Sequence, residues 1–481
     1  MKIIDSILGR LGYRKGPAFI RAYSGAKTGR LVSDWGTATT SANKEIREGI
    51  KPLRARAREL ERNNDYVRRF LASLENNVLG AGGIKLQAKA TDASGAFDSV
   101  ANSKIENAWR EWGRVGSCSV TGRHTWLDVQ RLVLRSVARD GAVLVRKIRN
   151  WDNPFRFALQ VVEIDHLDVE HTAKLKNGNT IRMGVESDEW DRPVAYHLLT
   201  NHGGDEYLGK PSSRERVSAD EFLQPFIAER PHQVTGVPWM ASSMYRLNQL
   251  EAYETAEVVA ARLSSCKMGF YTKSETGEGY QGETDAAGNL VQNAEPGTFE
   301  ELPVGVDFKP FDPQHPSTAY GPFIKSCLRG IAAGLNVSYN SLANDLEGVN
   351  YSSIRAGLLE EREQWKAVQN WFVDHVVDPI FREWLQYALL AGAVDLPAAK
   401  LDKFTRVEWK PRRWTWVDPL KDTQANALAV QNGFKSRRGI IAEAGADVED
   451  VFSEIAADGE LAEGKGIAFE KDPPTIETGE D

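Results

Sequence analysis

One short segment of the sequence concentrates the side chains that most often hold metal ions. Two histidines and four carboxylates occur close together: Glu163, Asp165, His166, Asp168, Glu170 and His171. Such oxygen and nitrogen donors suit a divalent cation, and a metal nuclease would use them. Residues that alternate along a strand point to opposite faces, however, so these ligands converge only at a sharp turn. We therefore expect solvated strand ends and turns here, with no catalytic residue, metal or cofactor.

The rest of the sequence holds no recognisable catalytic or redox motif. The glycine-rich run at 80–83 follows a predicted helix and precedes a predicted strand. That order is the reverse of what a dinucleotide-binding loop needs. Cys118, Cys266 and Cys327 are odd in number and far apart, which indicates reduced thiols rather than a disulfide framework or a zinc site.

Charge is distributed unevenly along the chain. Residues 1–62 contain fourteen Lys or Arg and six Asp or Glu, a surplus of eight positive charges. The whole chain has a net charge of −7, so residues 63–481 together carry −15. A protein that grips DNA along a broad face has a basic surplus on its folded body. We therefore expect that a DNA partner would slide past this protein rather than be held tightly.

Residues 317–394 predict two helices joined by a polar hinge. The apolar positions of the first helix, over 317–335, have helical spacing: Phe323, Ile324, Cys327, Leu328, Ile331 and Leu335. The hinge at 336–350 is rich in Asn and contains Gly348, residues that favour turns. Helical periodicity returns at Ile354 for about forty residues, or about 60 Å. Pro379 lies inside this second helix and is expected to kink it.

Another long helix is predicted upstream, over 238–265. It begins with Pro238, which suits the first turn of a helix. Between this helix and the one at 317–335, residues 273–293 are polar and rich in glycine, and 298–311 have the pattern of one or two short strands. Such an excursion buries little apolar surface by itself, so we expect contacts with neighbouring subunits to order it.

The first half of the chain has the mixed pattern of an α+β body. Helical periodicity begins near Lys44 and continues to about Gly80, with an interruption at Pro52. A further amphipathic helix covers 126–140 and ends at Gly141. Alternating apolar residues predict antiparallel strands over 142–148, 155–163, 179–185 and 194–199.

Six arginines decorate the helix that begins near Lys44: Arg54, Arg56, Arg58, Arg62, Arg68 and Arg69. Contact with phosphates, with an acidic partner, or with the next subunit of an oligomer would each use such a row. The arginines are interleaved with Glu59, Glu61 and Asp65, however. A solvated helix face is therefore the interpretation that we favour.

The C-terminal part is predicted to return to the α+β body and then to form short helices. Residues 401–416 have the pattern of a strand carrying Trp409, Trp414 and Trp416. Asp418 and Pro419 form a helix start signal. Amphipathic helices are predicted over 420–432, 436–444 and 448–457.

Both ends of the chain have a composition that disfavours a packed structure. Residues 16–41 are rich in Gly, Ala, Ser and Thr and predict a flexible arm, preceded by a small docking helix over 1–13. Residues 440–481 contain thirteen acids and two lysines. Within them, 460–481 are expected to be disordered.

Four blocks of the sequence, in order, resemble the lambda-type family of tailed-phage portal proteins. They are RARARELERNNDYVRRFLASLENNVLGAGGIKLQ (54–87), PGTFEELPVGVDFKPFDPQHPSTAYGPF (296–323), RGIAAGLNVSYNSLANDLEGVNYSSIRAGLLEERE (329–363) and WVDPLKDTQANALAVQNGFKSRRGIIAEAGAD (416–447). The resemblance covers roughly 44–466. Because none of the blocks is a catalytic or metal-binding motif, it rests on all four together.

The resemblance implies an α+β portal fold with an α/β wing, a two-helix stem, a small β-containing clip, a tunnel loop before a long kinked helix, and a helical crown. The segments are expected as follows: arm 1–43, wing 44–234, first stem helix 235–265, clip 266–314, second stem helix 315–335, tunnel loop 336–352, long helix and return strand 353–416, crown 417–459 and acidic tail 460–481.

The resemblance also implies a structural role without enzymatic activity. The expected assembly is a dodecameric ring at one capsid vertex of the virion, formed in the bacterial host cytoplasm, with double-stranded DNA passing through it. Expected partners are the major capsid protein, the terminase large subunit during packaging and a head–tail adaptor at the clip. No cofactor is expected. No membrane partner is expected either, since apolar runs such as 387–394 are too short to cross a bilayer. Alternatives are the metal nuclease and another structural protein of the capsid.

The residues expected to face the channel belong to the tunnel loop and the stem. In the loop, Asp345 and Glu347 would repel DNA, whereas Asn344 and Asn350 would offer weak hydrogen bonds. The stem candidates are Lys325, Arg329 and Arg246. Lys325 and Arg329 would contact phosphates or, with equal weight, pair with a carboxylate of the neighbouring subunit: Glu251, Glu254 or Glu257.

Overall fold

The computed structural model describes residues 26, 30, 33–205, 213–265, 269–273, 306–310, 319–348, 350–414, 419–443 and 448–466. The predicted docking helix at 1–13, most of the predicted arm, the glycine-rich insertion at 274–293 and Trp416 lie outside these residues. The described chain mixes helices and strands, as the α+β expectation requires.

The helices are α1 (Ala42–Asn63), α2 (Asp65–Val78), α3 (Ser99–Trp112), α4 (Trp126–Asp140), α5 (Met244–Ser265), α6 (Tyr320–Gly334), α7 (Tyr339–Ala343), α8 (Tyr351–Phe372), α9 (Asp378–Leu390), α10 (Leu401–Phe404), α11 (Pro419–Gln431), α12 (Arg437–Glu443) and α13 (Val448–Gly464). The strands are β1 (Lys85–Ala88), β2 (Leu144–Arg149), β3 (Phe157–Val162), β4 (Ala173–Lys174), β5 (Thr180–Arg182), β6 (Val185–Ser187), β7 (Pro193–Leu199), β8 (Arg214–Ser218), β9 (Phe222–Leu223), β10 (Gly269–Lys273), β11 (Val306–Pro310) and β12 (Val407–Lys410).

The strands form small antiparallel sheets. Strands β4 to β8 follow one another in a five-stranded meander, and β2 lies between β3 and β9 in a three-stranded sheet. Strand β1 pairs with β12, which brings the C-terminal part of the chain back to the start of the body. Strands β10 and β11 pair with each other, Tyr271 opposite Phe308. The two-stranded pairing of β10 with β11 therefore joins the ends of the insertion between α5 and α6.

The first predicted helix is divided at Asn64 and not at Pro52. Pro52 lies inside α1, which continues to Asn63. Asn64 has extended backbone angles, and its side chain accepts a hydrogen bond from the backbone N–H of Val67, so it caps the start of α2. A side-chain cap of this kind satisfies a backbone donor that the helix start leaves free. The expected interruption at Pro52 is therefore wrong.

The segment expected to be one strand over 179–185 is a tight hairpin. Met183 and Gly184 have positive φ angles of 49° and 80°, which reverse the chain between β5 and β6. A Cβ at Gly184 would lie 2.8 Å from the backbone oxygen of Asp168. The pattern of alternating residues did not reveal this turn because the apolar alternation continues through it.

Tryptophan side chains link the helices of the body. The Trp109 and Trp112 rings of α3 stack with centroids 4.7 Å apart, and Trp384 of α9 meets Trp109 edge-on at 4.9 Å. Trp126 at the start of α4 lies 5.5 Å from Trp109. Trp112 and Trp384 are fully buried. This cluster holds α9, the second half of the long helix, against the first 140 residues.

The predicted long helix is present over 351–390, and its irregularity lies beside Pro379. A π-helical turn at Val373–Val377 separates α8 from α9. Proline has no N–H and its ring crowds a carbonyl one turn earlier, so the helix around it loses a hydrogen bond and must adjust. The backbone N–H of Asp378 reaches back to Val373, five residues away. This widened turn accommodates Pro379 in the first turn of α9.

The C-terminal part differs from expectation in two places. The strand predicted over 401–416 is restricted to β12, because its start forms the helical turn α10. The third of the short helices continues to Gly464, into the segment expected to be disordered. The other two helices, α11 and α12, agree with the predicted positions. Among the described residues, no helix combines the length and the apolarity needed to span a membrane.

Candidate functional site

The structure distributes the predicted metal ligands over separate ion pairs and hydrogen bonds. Asp168 pairs with Arg214, and Glu170 lies 2.5 Å from the ammonium of Lys51. His166 Nδ1 is 2.9 Å from the backbone oxygen of Leu199. Within the described parts of the chain, no three His, Cys, Asp or Glu side chains are placed to hold a metal ion. The carboxylates of this segment are therefore structural partners of basic residues.

Asp165 is the centre of a partly buried network with two arginines of α1. Arg54 is only 2% exposed and donates from Nε to the backbone oxygen of Asp140 at 3.0 Å. Both Arg54 and Arg58 also contact the Asp165 carboxylate. Burial alone would raise the pKa of Asp165, but the charges of the two arginines outweigh it and the pKa is lowered. The expectation of a solvated arginine face is wrong for these two residues.

An Asp165→Ala protein is expected to lose about 3 kcal/mol of stability, because the buried guanidinium of Arg54 and the partly buried one of Arg58 would lose their shared carboxylate. Glu170→Ala is the matched control in the same segment. Both Glu170 and Lys51 are mostly exposed, and such pairs contribute about 1 kcal/mol or less. Denaturant unfolding midpoints of the two variants and the parent protein measure the difference. Equal midpoints for both variants would contradict the role given to Asp165.

Helices α5 and α6 pack closely near the start of α5. Ser242 and Ser243 donate hydroxyl hydrogen bonds to the backbone oxygens of Gly334 and Ile331, at 3.2 and 3.3 Å. A Cβ on Gly330 would collide with the guanidinium of Arg246. Helix α5 begins at Met244, after a turn, and not at Pro238 as expected. Gly330 therefore leaves room for Arg246 of α5, and Gly334 leaves room for the turn that carries Ser242 and Ser243.

The hinge between α6 and α8 is an ordered turn with its own short helix. Ser338 caps α7, accepting from the backbone N–H of Ser341. The hydroxyls of Ser338 and Ser341 both donate to Glu361 of α8 at 2.7 Å. Trp365 donates from Nε1 to the same carboxylate at 3.3 Å. The hinge is thereby attached to α8 at a residue about three turns after the start of that helix at Tyr351.

Three side chains fasten the end of the hinge to α6, and we call them the junction latch: Lys325, Tyr339 and Asp345. The Tyr339 hydroxyl donates to Asp345 Oδ2 at 2.7 Å, and the Lys325 ammonium lies 3.0 Å from the same atom. Glu347 lies 3.5 Å from Lys325 and is almost fully exposed. Two loop carboxylates therefore neutralise the cation of the helix.

The junction latch remains charged through the neutral and mildly acidic range. The Tyr339 hydrogen bond, the backbone N–H of Glu347 and the Lys325 ammonium lower the pKa of Asp345 to about 2. The same carboxylate raises the pKa of Lys325. A depressed carboxyl pKa stabilises the folded arrangement above the ordinary value, about 4, and that contribution is lost as pH falls toward the folded value.

Most residues expected to face a channel have structural partners in the chain. Asn350 caps α8, accepting from the backbone N–H of Ser353 at 2.8 Å. Asn344 ends α7 with a φ angle of 53°, in the left-handed region. Arg329 lies over the Tyr339 ring, with Cζ 5.5 Å from its centroid. Asp345 and Glu347 face Lys325. Their expected repulsion of DNA stays a prediction.

The carboxylates considered as partners of Lys325 and Arg329 have other contacts within the chain. Glu251 accepts from the side-chain amide of Asn64 at 3.0 Å, and Glu254 from the Tyr66 hydroxyl at 2.9 Å. Tyr253 forms a hydrogen bond with Glu257, which raises the pKa of Tyr253. The pairing of Lys325 with Asp345 was missed, although the two residues lie on either side of a predicted hinge. Their short separation along the chain was the signal that could have predicted this ion pair.

The sequence was also compared with known families and proteins. Residues 28–369 match the model of the family described as "Phage portal protein, lambda family". The chain belongs to this family. The probable portal protein of Halomonas phage phiHAP-1 is 37% identical over 453 residues, which cover 92% of this chain and 87% of that portal protein.

Two further portal proteins are similar over most of their length. The portal protein of Escherichia phage N15 is 21% identical, and the match covers 91% of this chain and 90% of the N15 protein. Portal protein B of Escherichia phage lambda is 20% identical, and the match covers 89% of this chain and 87% of the lambda protein. The predicted family is therefore confirmed across nearly the whole chain.

Chains from solved assemblies show a weak likeness in shape. One comes from the neck of an empty GTA particle computed with C6 symmetry, at 15% identity and a TM-score of 0.42, covering 84% of this portal-family chain and 93% of its own. Another comes from the neck of a native GTA particle computed with C12 symmetry, at 13% identity and a TM-score of 0.42. The match covers 81% of this chain and 93% of the GTA chain.

Proposed function

We propose that this chain forms the ring-shaped DNA channel at one vertex of a phage capsid. In this role it is a structural protein of the virion, assembled in the host cytoplasm as a dodecamer, and it needs no catalytic residue or cofactor. It would serve genome packaging with the terminase large subunit, the connection of head to tail, and DNA ejection. Membership of the lambda portal family is the observation that carries the proposal.

Exposed apolar side chains on α5 and α6 support assembly into a ring. Tyr245 is 79% exposed, Val258 66% and Phe323 49%. Apolar residues of this size on neighbouring helices favour contact with another protein surface. Helices α5 and α6 are then the two stem helices, and the exposed side chains would be covered by the same helices of the next subunit.

The other predicted segments take their roles from their order around the stem. Strands β10 and β11 follow the first stem helix and precede the second, so they form the base of a clip that would receive the head–tail adaptor. The body built on the tryptophan cluster is the wing, and its outer surface would meet the major capsid protein. Helices α11 to α13 follow the return strand and form the crown.

The hinge at 336–350 is the candidate tunnel loop. Its two acidic side chains neutralise Lys325, so the loop and the second stem helix together offer little attraction for phosphate. Weak contact suits a channel through which double-stranded DNA slides, because each lysine that neutralises a phosphate strengthens binding by counterion release. Asn350 already uses its side-chain oxygen to cap α8. Asn344 and Asn350 would therefore offer DNA only their remaining polar side-chain atoms.

A metal nuclease is the weaker alternative because its candidate ligands are engaged elsewhere. Asp165 pairs with Arg54 and Arg58, and Asp168 pairs with Arg214. Incubation with plasmid DNA and magnesium or manganese separates the two functions. We expect no cleavage, whereas cleavage abolished by Asp165→Asn would favour the enzyme.

Electron microscopy of the purified protein tests the proposal directly. We expect rings with a central hole and twelvefold symmetry in class averages. Closed shells would indicate a different structural protein of the capsid. Monomers at the concentrations that normally allow assembly, in the absence and presence of duplex DNA, would contradict the proposed channel.

A further inference from the structure

A groove lies between the start of α2 and the middle of α5, and it encloses a cavity of about 340 Å³. Residues 63–66, at the junction of α1 with α2, form one wall. The residues of the α5 wall share one face of that helix: Glu251, Glu254, Thr255, Val258 and Val259. We call this feature the α2–α5 groove.

One end of the α2–α5 groove is apolar and open to solvent. Val258 is 66% exposed and Val259 is 49% exposed. Two adjacent branched side chains at the edge of a cavity favour contact with another apolar surface.

The other end of the α2–α5 groove is acidic. The Glu251 carboxylate accepts a hydrogen bond from the Asn64 amide at 3.0 Å, and both side chains belong to the lining. The Glu254 carboxylate accepts from the Tyr66 hydroxyl at 2.9 Å. Burial and this hydrogen bond raise the pKa of Tyr66, so the hydroxyl keeps its proton and holds the carboxylate in place. Both donors are neutral, and among the described residues neither carboxylate forms an ion pair. Two negative charges are therefore fixed at the groove without a counter-charge from the described chain.

The docking helix predicted over 1–13 has the complementary pattern. Its apolar side chains share one helical face: Ile3, Ile4, Ile7, Leu8 and Leu11. At about 100° per residue, Arg10 and Arg14 border this face, whereas Asp5 lies away from it. Residues 1–15 contain four Lys or Arg and one acid. A helix that is apolar in the middle and basic at its border matches a groove that combines valines with carboxylates.

The chain between the predicted helix and α1 is long enough to bring the two together. Helix α1 has 22 residues and ends beside the groove, so its start lies about 33 Å away at about 1.5 Å per residue. The twenty-eight residues 14–41 span about 90 Å when extended, at about 3.3 Å per residue. The arm therefore reaches back along α1. Because it is tethered, it has a higher effective concentration at this groove than the arm of a separate copy.

We propose that residues 1–13 dock as a helix in the α2–α5 groove of the same chain. The basic border of the helix would pair with the two carboxylates, and its apolar face would cover the two valines. A helix of this length is unstable alone in water, so the segment would gain helical structure only in the groove. Docking would fasten α5 to the helices of the α+β body, and Val258 at the rim would contact both the arm and the next stem. The inference does not depend on ring assembly.

Hydrogen–deuterium exchange of the full-length chain, followed by mass spectrometry, measures the docking. We expect protection of the amides of residues 4–11 in the parental protein, because helical hydrogen bonds slow exchange. The Glu251→Gln/Glu254→Gln variant keeps acceptor oxygens for Asn64 and Tyr66 and removes both charges. Exchange at 4–11 is expected to be about tenfold faster in this variant, since two ion pairs are lost.

Two further variants separate docking from general effects of charge and folding. Glu59→Gln/Glu360→Gln is the matched control, because it removes two exposed carboxylates of α1 and α8 that have no described ion pair. Its exchange at 4–11 should equal that of the parent. Ile7→Ser/Leu11→Ser changes only the arm and leaves every side chain of the body in place. It should abolish the protection at 4–11 while the α+β body remains folded.

Carbodiimide cross-linking locates the arm, because this reagent joins a lysine amine directly to a carboxylate. Lys2 and Lys15 are expected to be joined to Glu251 or Glu254 in the full-length protein. A mixture of isotope-labelled and unlabelled chains shows which chain supplies the arm. The cross-linked peptides should carry the same label, since the arm is proposed to bind its own chain.

Three results would overturn the inference and leave ring formation, and with it the proposed function, unaffected. The first is unprotected exchange at 4–11 in the parental protein. The second is cross-linking between labelled and unlabelled peptides, which would assign the arm to a neighbouring chain. The third is cross-linking of Glu251 or Glu254 to Lys325 of another copy with the arm left unlinked, which would make the groove a contact between stems.

Discussion

Protein carrying Ala256→Pro is expected to fold its α+β body and yet form no rings. Ala256 is exposed and lies in the interior of α5, Met244–Ser265. Proline there removes one backbone hydrogen bond and collides with the preceding turn, at a cost of about 3 kcal/mol or more in each subunit. Every subunit of a ring carries the same defect in the helix that is proposed to contact its neighbour, so assembly should be abolished rather than weakened.

Ala256→Ser separates this effect from a change of side chain. Serine keeps the backbone N–H and remains small, so rings should form at normal yield. Light scattering coupled to size-exclusion chromatography gives the mass of each species, and negative-stain images show whether a central hole is present. The unfolding midpoint of the body should be similar in both variants. Intact rings of Ala256→Pro protein would mean that α5 does not build the stem.

The double change Asp345→Lys/Glu347→Lys is expected to leave rings intact and to impair genome packaging. It changes the charge of the candidate tunnel loop by four units in each subunit and deprives Lys325 of both its carboxylate partners. Three unpaired lysines per subunit would then face the duplex. Added phosphate contacts strengthen binding at low salt and steepen its salt dependence. DNA that is held in this way should move more slowly, so particles should contain shortened genomes.

Exchanging the two partners provides the matched control for this prediction. Lys325→Glu/Asp345→Lys restores an ion pair of opposite polarity and leaves the net charge unchanged. We expect this protein to package DNA at a rate close to that of the parent. If it packages as poorly as the double lysine variant, then loop position and not charge is responsible. Full-length genomes at the parental rate in particles that contain the double lysine variant would remove the loop from the channel lining.

Features that depend on neighbouring residues in the chain were predictable from the sequence. Thr125 and Asp128 form a reciprocal capping box at the start of α4, and Gly141 ends that helix with a φ angle of 88°. These signals act over a single helical turn, so the predicted helix at 126–140 matches the structure. The same reasoning predicted the helices on either side of the hinge and the irregularity at Pro379.

Partners that lie far apart in the chain were settled only by the tertiary structure. Arg54 is buried because it forms hydrogen bonds with Asp140 and Asp165, which are 86 and 111 residues away in the chain. The sequence pattern had predicted a solvated face for it. Lys325 pairs with Asp345 because the hinge folds back onto α6, while Glu251 and Glu254 are occupied by Asn64 and Tyr66. The sequence offers each charged side chain several possible partners of opposite charge, and only the packing of the folded chain selects among them. The sequence by itself therefore determined the family and the order of the helices. The tertiary structure decided which charges are paired, because the partners meet only when distant parts of the chain pack together.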